Sequence, residues 1–213
     1  MPSLPAQEPC TRSSGLHGFR SVAFMRALLA SVCLLVTGTL LPSGMVWATG
    51  SVSAHPPGPF WKRLGESHWI AQGHGKKVVY DILDPNCPYC HLLYNELQPD
   101  IGRLGLQVRY IVVGFLSASS PDKAASILEA PDPLAALQKN EQGFSRSHYG
   151  GISGTLPTPR SRREMAQNLN LLKASGQKLV PTMVYRDRRG RIQIIHGALG
   201  SHSLRQVLTG AGD

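Results

Sequence analysis

The stretch DPNCPYCH, residues 84–91, sets Cys87 and Cys90 three apart, with Pro88 and Tyr89 between them and His91 directly after. Two sulfurs one helical turn apart can exchange electrons with another disulfide. One attacks as a thiolate, and the other closes a ring with it and expels the trapped partner. The same spacing, completed by His91, also attaches a c-type haem. A plain structural disulfide and a two-cysteine metal site are further readings. A disulfide closing so short a loop removes little chain entropy, and no second Cys or His pair stands at metal-ligand spacing. For a haem, Met165, Met183 or a distant histidine would have to supply the second axial ligand, and nothing in the sequence singles one out.

The flanking elements favour the dithiol. KKVVYDIL (76–83) is β-branched and apolar and reads as a buried strand, DPNCP as a turn, and CHLLYNELQPDIGRLG (90–105) as a helix. Leu92, Leu93, Leu97, Ile101 and Leu104 are expected to share its apolar face, and Gly105 to close it. Cys87 then stands just ahead of the helix, facing unpaired N–H groups and the positive end of the dipole. That position is expected to lower its pKa from about 8.5 into the range of roughly 3.5–7.5. Pro88 suits the first helical turn because its missing N–H had no partner there. LQVRYIVVGF (106–115) is a second strong strand, after a short candidate strand in ESHWIAQG (66–73).

Downstream, the segment from Pro121 to Gln177 reads as a helical insertion of three helices. The first is capped by Ser120, the second by Asp132, and the third carries Ser161 and Glu164 at capping-box spacing. LVPTMVYRD and RIQIIHG form two more strands around a turn at Arg189-Gly190, and GSHSLRQVLTG a terminal amphipathic helix. The expected fold is α/β, a mixed four- to five-stranded sheet flanked by helices.

The N-terminus reads as an export signal. Arg20 and Arg26 precede the uncharged run Ala27–Leu41, then Pro42, and MVWA ends in a small residue at Ala48. The run is short for a membrane span of about 20 residues, with an uncleaved anchor as the alternative. The expected organisation is 1–24 disordered or untranslated, with Met25 as an alternative start, 25–48 signal, 49–66 linker and 67–213 catalytic domain. Of four cysteines, Cys10 and Cys33 precede Ala48, so Cys87 and Cys90 alone would remain after processing. In an oxidising compartment such economy suits a dedicated redox pair. Lys and Arg total 22 against 13 Asp and Glu. Their densest run, Arg186–Arg191, reads as a solvated hairpin tip. No phosphate loop, HExxH or nucleic-acid-reading motif is present.

VVYDILDPNCPYCHLL, QVRYIVVGFLSASSPDKAASILEAPDPLAAL and LVPTMVYRDRRGRIQIIHG together resemble the catalytic domain of the DsbC/DsbG family of periplasmic disulfide isomerases, the DsbG branch most of all. The resemblance runs from about Trp69 to Leu208. It implies a thioredoxin fold with a helical insertion, and thiol–disulfide exchange with cysteine-containing exported proteins. It further implies no cofactor beyond the Cys87–Cys90 pair, and recharging by a membrane reductase of the DsbD type. Cys87 matches the attacking cysteine, Cys90 the resolving one, and Pro181 a cis-proline whose loop meets substrate backbone. Pro88, Tyr89, Val180 and Pro181 are the expected substrate contacts. Val180 departs from the threonine usual in DsbG and is similar to the oxidase DsbA, which leaves the direction of electron flow open. Asp81 matches thioredoxin's buried aspartate, a proton acceptor for Cys90, with a solvent-facing edge position as the alternative. Family isomerases carry an N-terminal dimerisation domain, and Ala48 to Lys76 is too short for one. A monomer is therefore expected.

Overall fold

The computed structural model describes residues 57–213. The expected signal, Cys10 and Cys33 lie outside the described residues. Five strands form one sheet: β1 Trp69–Gln72, β2 Lys77–Leu83, β3 Leu106–Val112, β4 Thr182–Arg186 and β5 Ile192–His196. The spatial order is β1-β3-β2-β4-β5. β2 and β3 run parallel, joined through α2 (Pro88–Arg103), whereas β1, β4 and β5 pair antiparallel with their neighbours. A parallel pair needs such a crossover, and the helix supplies it. β2 is therefore the middle strand. Its last five residues, Val79–Leu83, are all buried, which is why the segment reads as a continuous apolar run rather than an alternating one.

α2 buries Leu93, Tyr94, Leu97 and Ile101, a stripe at helical spacing. Leu92 was expected on that face and instead stands 54% exposed. One residue before Leu93 is about 100° around the helix, so both cannot face the sheet. Gly105, in the left-handed region at φ 63°, follows the C-cap Leu104 and lets the chain turn directly into β3.

Between β3 and β4 lies the helical insertion: α3 Ser120–Leu128, α4 Pro133–Gln142 and α5 Pro159–Ala174. Asp132 caps α4 through its side chain, as expected. The other two caps differ from expectation. α3 has Ser119 at its N-cap, and Ser120 turns its hydroxyl inward to Asp84. α5 starts at Pro159 with Thr158 as cap, so Ser161 lies already in the first turn and accepts no cap role. α6 (Ser201–Gly210) closes the described chain.

The stretch 49–66 was expected to be a linker, but its described part is folded. Pro57–Gly65 forms α1 and buries Phe60 and Leu64 in the core, one helical turn apart. The Pro/Gly-rich lead-in HPPGP hid an amphipathic turn whose apolar residues cover the sheet. The run Arg186–Arg191 is a hairpin tip, held by Asp187 accepting from the Arg189 and Arg191 N–H groups.

Candidate active site

The site sits at the end of the central strand. β2 delivers the chain into the turn Asp84-Pro85-Asn86, and Cys87 becomes the N-cap of α2 with extended backbone. Its Sγ accepts a hydrogen bond from the Cys90 N–H at 3.1 Å, the place a capping serine or aspartate oxygen would occupy. Negative charge developing on this sulfur therefore meets a backbone donor and the open end of the helix. Pro88 stands at the first helical position, exposed, and Tyr89 beside it is 62% exposed. Cys87 and Cys90 are free thiols, 3% and 1% exposed. Burial pushes the Cys90 thiol well up, reinforced by a hydrogen bond to Cys87 and by the charges of Cys87 and Asp81. The two sulfurs are thus differentiated, with Cys90 held protonated behind Cys87.

From the opposite side comes the loop before β4. The Val180–Pro181 peptide bond is cis. Val180 O lies 3.7 Å from Cys87 Sγ and accepts from its thiol. Thr182, next along, donates to Leu179 O at 2.6 Å and meets His196 Nδ1 at 2.9 Å, which ties the loop to β5. Leu179 is 45% exposed, on the same loop as Val180.

Asp81 lies on β2 between Tyr110 of β3 and Met183 of β4. It is completely buried, and neither carboxylate oxygen has a hydrogen-bond partner among the described residues. The edge reading is excluded because β2 is flanked on both sides. Burial, and secondarily the charge of Glu141, pushes its pKa from 3.8 to about 8. A buried carboxylate near a resolving thiol with such a value can take and return a proton around neutral pH.

His91, directly after Cys90, is partly buried and held on every side that offers a partner. Its Nδ1 meets Glu141 Oε2 at 3.0 Å, its Nε2 meets Asn95 Nδ2 at 3.0 Å, and its ring stacks on Phe144. With both ring nitrogens engaged, it presents no axial ligand, so the residues do not fit haem attachment.

Several residues that hold the site were not visible in the sequence. Asp84 accepts hydrogen bonds from the Asn86, Phe115 and Leu116 N–H groups and from the Ser120 hydroxyl. Asn86 donates into the hydroxyls of Ser117 and Ser119, and its Oδ1 accepts from buried Lys123 Nζ at 3.0 Å. Lys123 also donates to His148 O and Gly150 O. A Cβ at Gly150 would collide with Asn140 Oδ1 and Pro85 O, so only glycine lets the insertion approach the active-site turn this closely. The sequence offered one signal, the DPN turn before Cys87, since Asp and Asn there favour local side-chain bonds. Their partners lie some 30 residues downstream.

Comparison with known proteins agrees with this fold. The family model of the thioredoxin-like domain matches residues 66–211. Among characterised relatives, the chain is 32% identical over 150 residues to the thiol:disulfide interchange protein DsbG of Pseudomonas aeruginosa, covering 70% of this chain and 58% of that one. It is 28% identical over 153 residues to DsbG of Escherichia coli, covering 70% and 60%. The chain thus spans about three fifths of the length of each. Among solved structures, a periplasmic thioredoxin-like protein from Salmonella enterica serovar Typhimurium superposes with a TM-score of 0.59 at 21% identity, over 73% of this chain and 97% of that one.

Proposed function

The chain belongs to the thioredoxin-like domain family, and on that premise we propose that it is an exported thiol–disulfide oxidoreductase of reductase or isomerase type acting on cysteine-containing proteins. The observation that carries the proposal is the geometry at Cys87. Its sulfur caps α2, accepts the Cys90 N–H, and lies beside Val180 O with a buried, unpartnered carboxyl in the same core. The identity with two proteins named thiol:disulfide interchange protein supports it.

In the reducing direction, the Cys87 thiolate attacks one sulfur of a substrate disulfide. A Cys87–substrate S–S bond forms, the substrate S–S bond breaks, and the departing thiolate takes a proton. Cys90 then passes its proton to the Asp81 carboxylate and attacks Cys87 Sγ. This closes the Cys87–Cys90 disulfide and releases the second substrate thiol. Two electrons have moved from the dithiol to the substrate. Tyr89, Pro88, Val180 and Pro181 form the rim on which substrate backbone rests. The periplasm is the compartment, and a membrane reductase of the DsbD type restores the dithiol.

The test uses a disulfide-bonded protein substrate with glutathione as electron donor. Cys87→Ala is expected to lose all exchange, whereas Cys90→Ala should still attack and accumulate a mixed disulfide visible by mass spectrometry. Exchange at wild-type rate by Cys87→Ala would overturn the proposal.

A further inference from the structure

Glu141 stands on α4, in the helical insertion, yet its side chain is only 2% exposed and reaches the active-site helix. Oε2 faces His91 Nδ1 at 3.0 Å, and Oε1 accepts from Asn140 Nδ2 at 3.0 Å. The same Asn140 amide donates to Pro85 O, in the turn ahead of Cys87, at 3.0 Å. One helix of the insertion therefore grips both sides of the dithiol, the turn before Cys87 and the residue after Cys90. A structural tie would need only the amide. A buried carboxylate is costly unless it is paired and hydrogen-bonded, which makes its presence informative.

We propose that Glu141 is a positioning residue of the exchange reaction: its buried carboxylate, fixed by His91 and Asn140, sets the charge that Asp81 faces and, through Asp81, governs how readily Cys90 passes on its proton. The inference rests on the exchange function proposed above.

The groups arrayed around this charge come from four elements. From α2 come His91 and Tyr94; from β2, Asp81; from β3, Tyr110; from α4, Asn140. Burial first, and the charge of Glu141 second, raise Asp81 and push the Tyr94 hydroxyl up to about 12. Burial pushes Glu141 itself up, against the hydrogen bonds from Asn140 and His91. Among the described residues, His91 is the ion-pair partner of Glu141. Contacts at both ring nitrogens hold the imidazole against the carboxylate, and the Glu141 charge acts on Asp81 as like-charge repulsion.

The experiment follows the carboxyl carbons of Asp81 and Glu141 by NMR across pH, in the reduced protein without substrate. Glu141→Gln keeps the side chain's size and an oxygen acceptor but removes the charge. The Asp81 midpoint is expected to fall by about one pH unit, the scale on which neighbours move side-chain values in folded proteins. The pH midpoint of Cys90-dependent release of a mixed disulfide should fall with it. To repel Asp81, Glu141 must ionise first, so in Asp81→Asn the Glu141 midpoint should stay where it is, a measurement independent of how well Glu141→Gln folds. A Glu141 midpoint that falls in Asp81→Asn, or an Asp81 midpoint unmoved in a Glu141→Gln protein that still exchanges disulfides, would overturn this inference alone. An Asp81 midpoint that moves as stated in a protein without exchange activity would overturn the proposed function instead.

Discussion

Replacing Asp81 by Asn removes an ionisable group from the centre of the sheet while preserving its shape, and the consequence for stability has a definite sign. The folded-state pKa is raised, from 3.8 to about 8. Below pH 3.8 both folded and unfolded chains carry the proton, and no penalty exists. Between the two values the unfolded chain has released the proton while the folded chain keeps it, so stability falls as pH rises. Above about 8 the buried carboxylate is ionised and the penalty stays constant. Each pH unit inside the window costs about 1.36 kcal/mol, so the three units from pH 5 to pH 8 amount to about 4 kcal/mol. That is a large part of the roughly 5–15 kcal/mol that holds a domain together. Neither oxygen of Asp81 has a partner to lose, so the asparagine breaks no bond in the described structure. The assay is urea unfolding of wild type and Asp81→Asn under reducing conditions at pH 5, 6, 7 and 8. Glu141, also pushed up by burial, adds a slope of the same sign to both proteins and cancels in the difference. The stability gap in favour of Asp81→Asn should widen by about 4 kcal/mol across the series. Parallel pH profiles would show that Asp81 titrates normally, and the argument for a proton store beside Cys90 would go with it.

Two further substitutions probe the supports of the site. Leu64→Ala, in α1, empties a fully buried position and should cost about 2–5 kcal/mol in urea unfolding; a cost near zero would return 57–65 to the status of a linker. Lys123→Met strips a charged donor from Asn86 Oδ1, His148 O and Gly150 O together. A loss of about 1.5–3 kcal/mol is expected, with faster amide exchange in the turn before Cys87, and unchanged exchange there would show that the turn does not depend on the ammonium.

What could be read before the structure was local in origin. Cys87 and Cys90 lie a turn apart, Pro88 pre-sets the first helical position, and the apolar, β-branched runs 76–83 and 106–115 announce strands. Each of these signals is carried by residues within a few positions of one another, where spacing and backbone preference act directly. The errors were of the same kind. Ser120 and Ser161 have the composition of caps, but Ser120 has a better partner in Asp84, 36 residues away, and Thr158 already caps the helix that Ser161 belongs to. Leu92 has the composition of a core residue but the wrong angle around α2.

The chemistry of the site was decided elsewhere. Asp81 is a buried carboxyl rather than a surface acid because β3 and β4 close over both edges of β2, and strand order is a property of the whole sheet. Val180 reaches Cys87 across 93 residues of chain, and Glu141 reaches His91 across 50. Burial and like-charge proximity shift proton affinities, and both depend on which segments pack together, so no window of sequence contains them. The sequence by itself determined that two sulfurs meet at the start of a helix. The tertiary structure determined which of them keeps its proton, and against what charge.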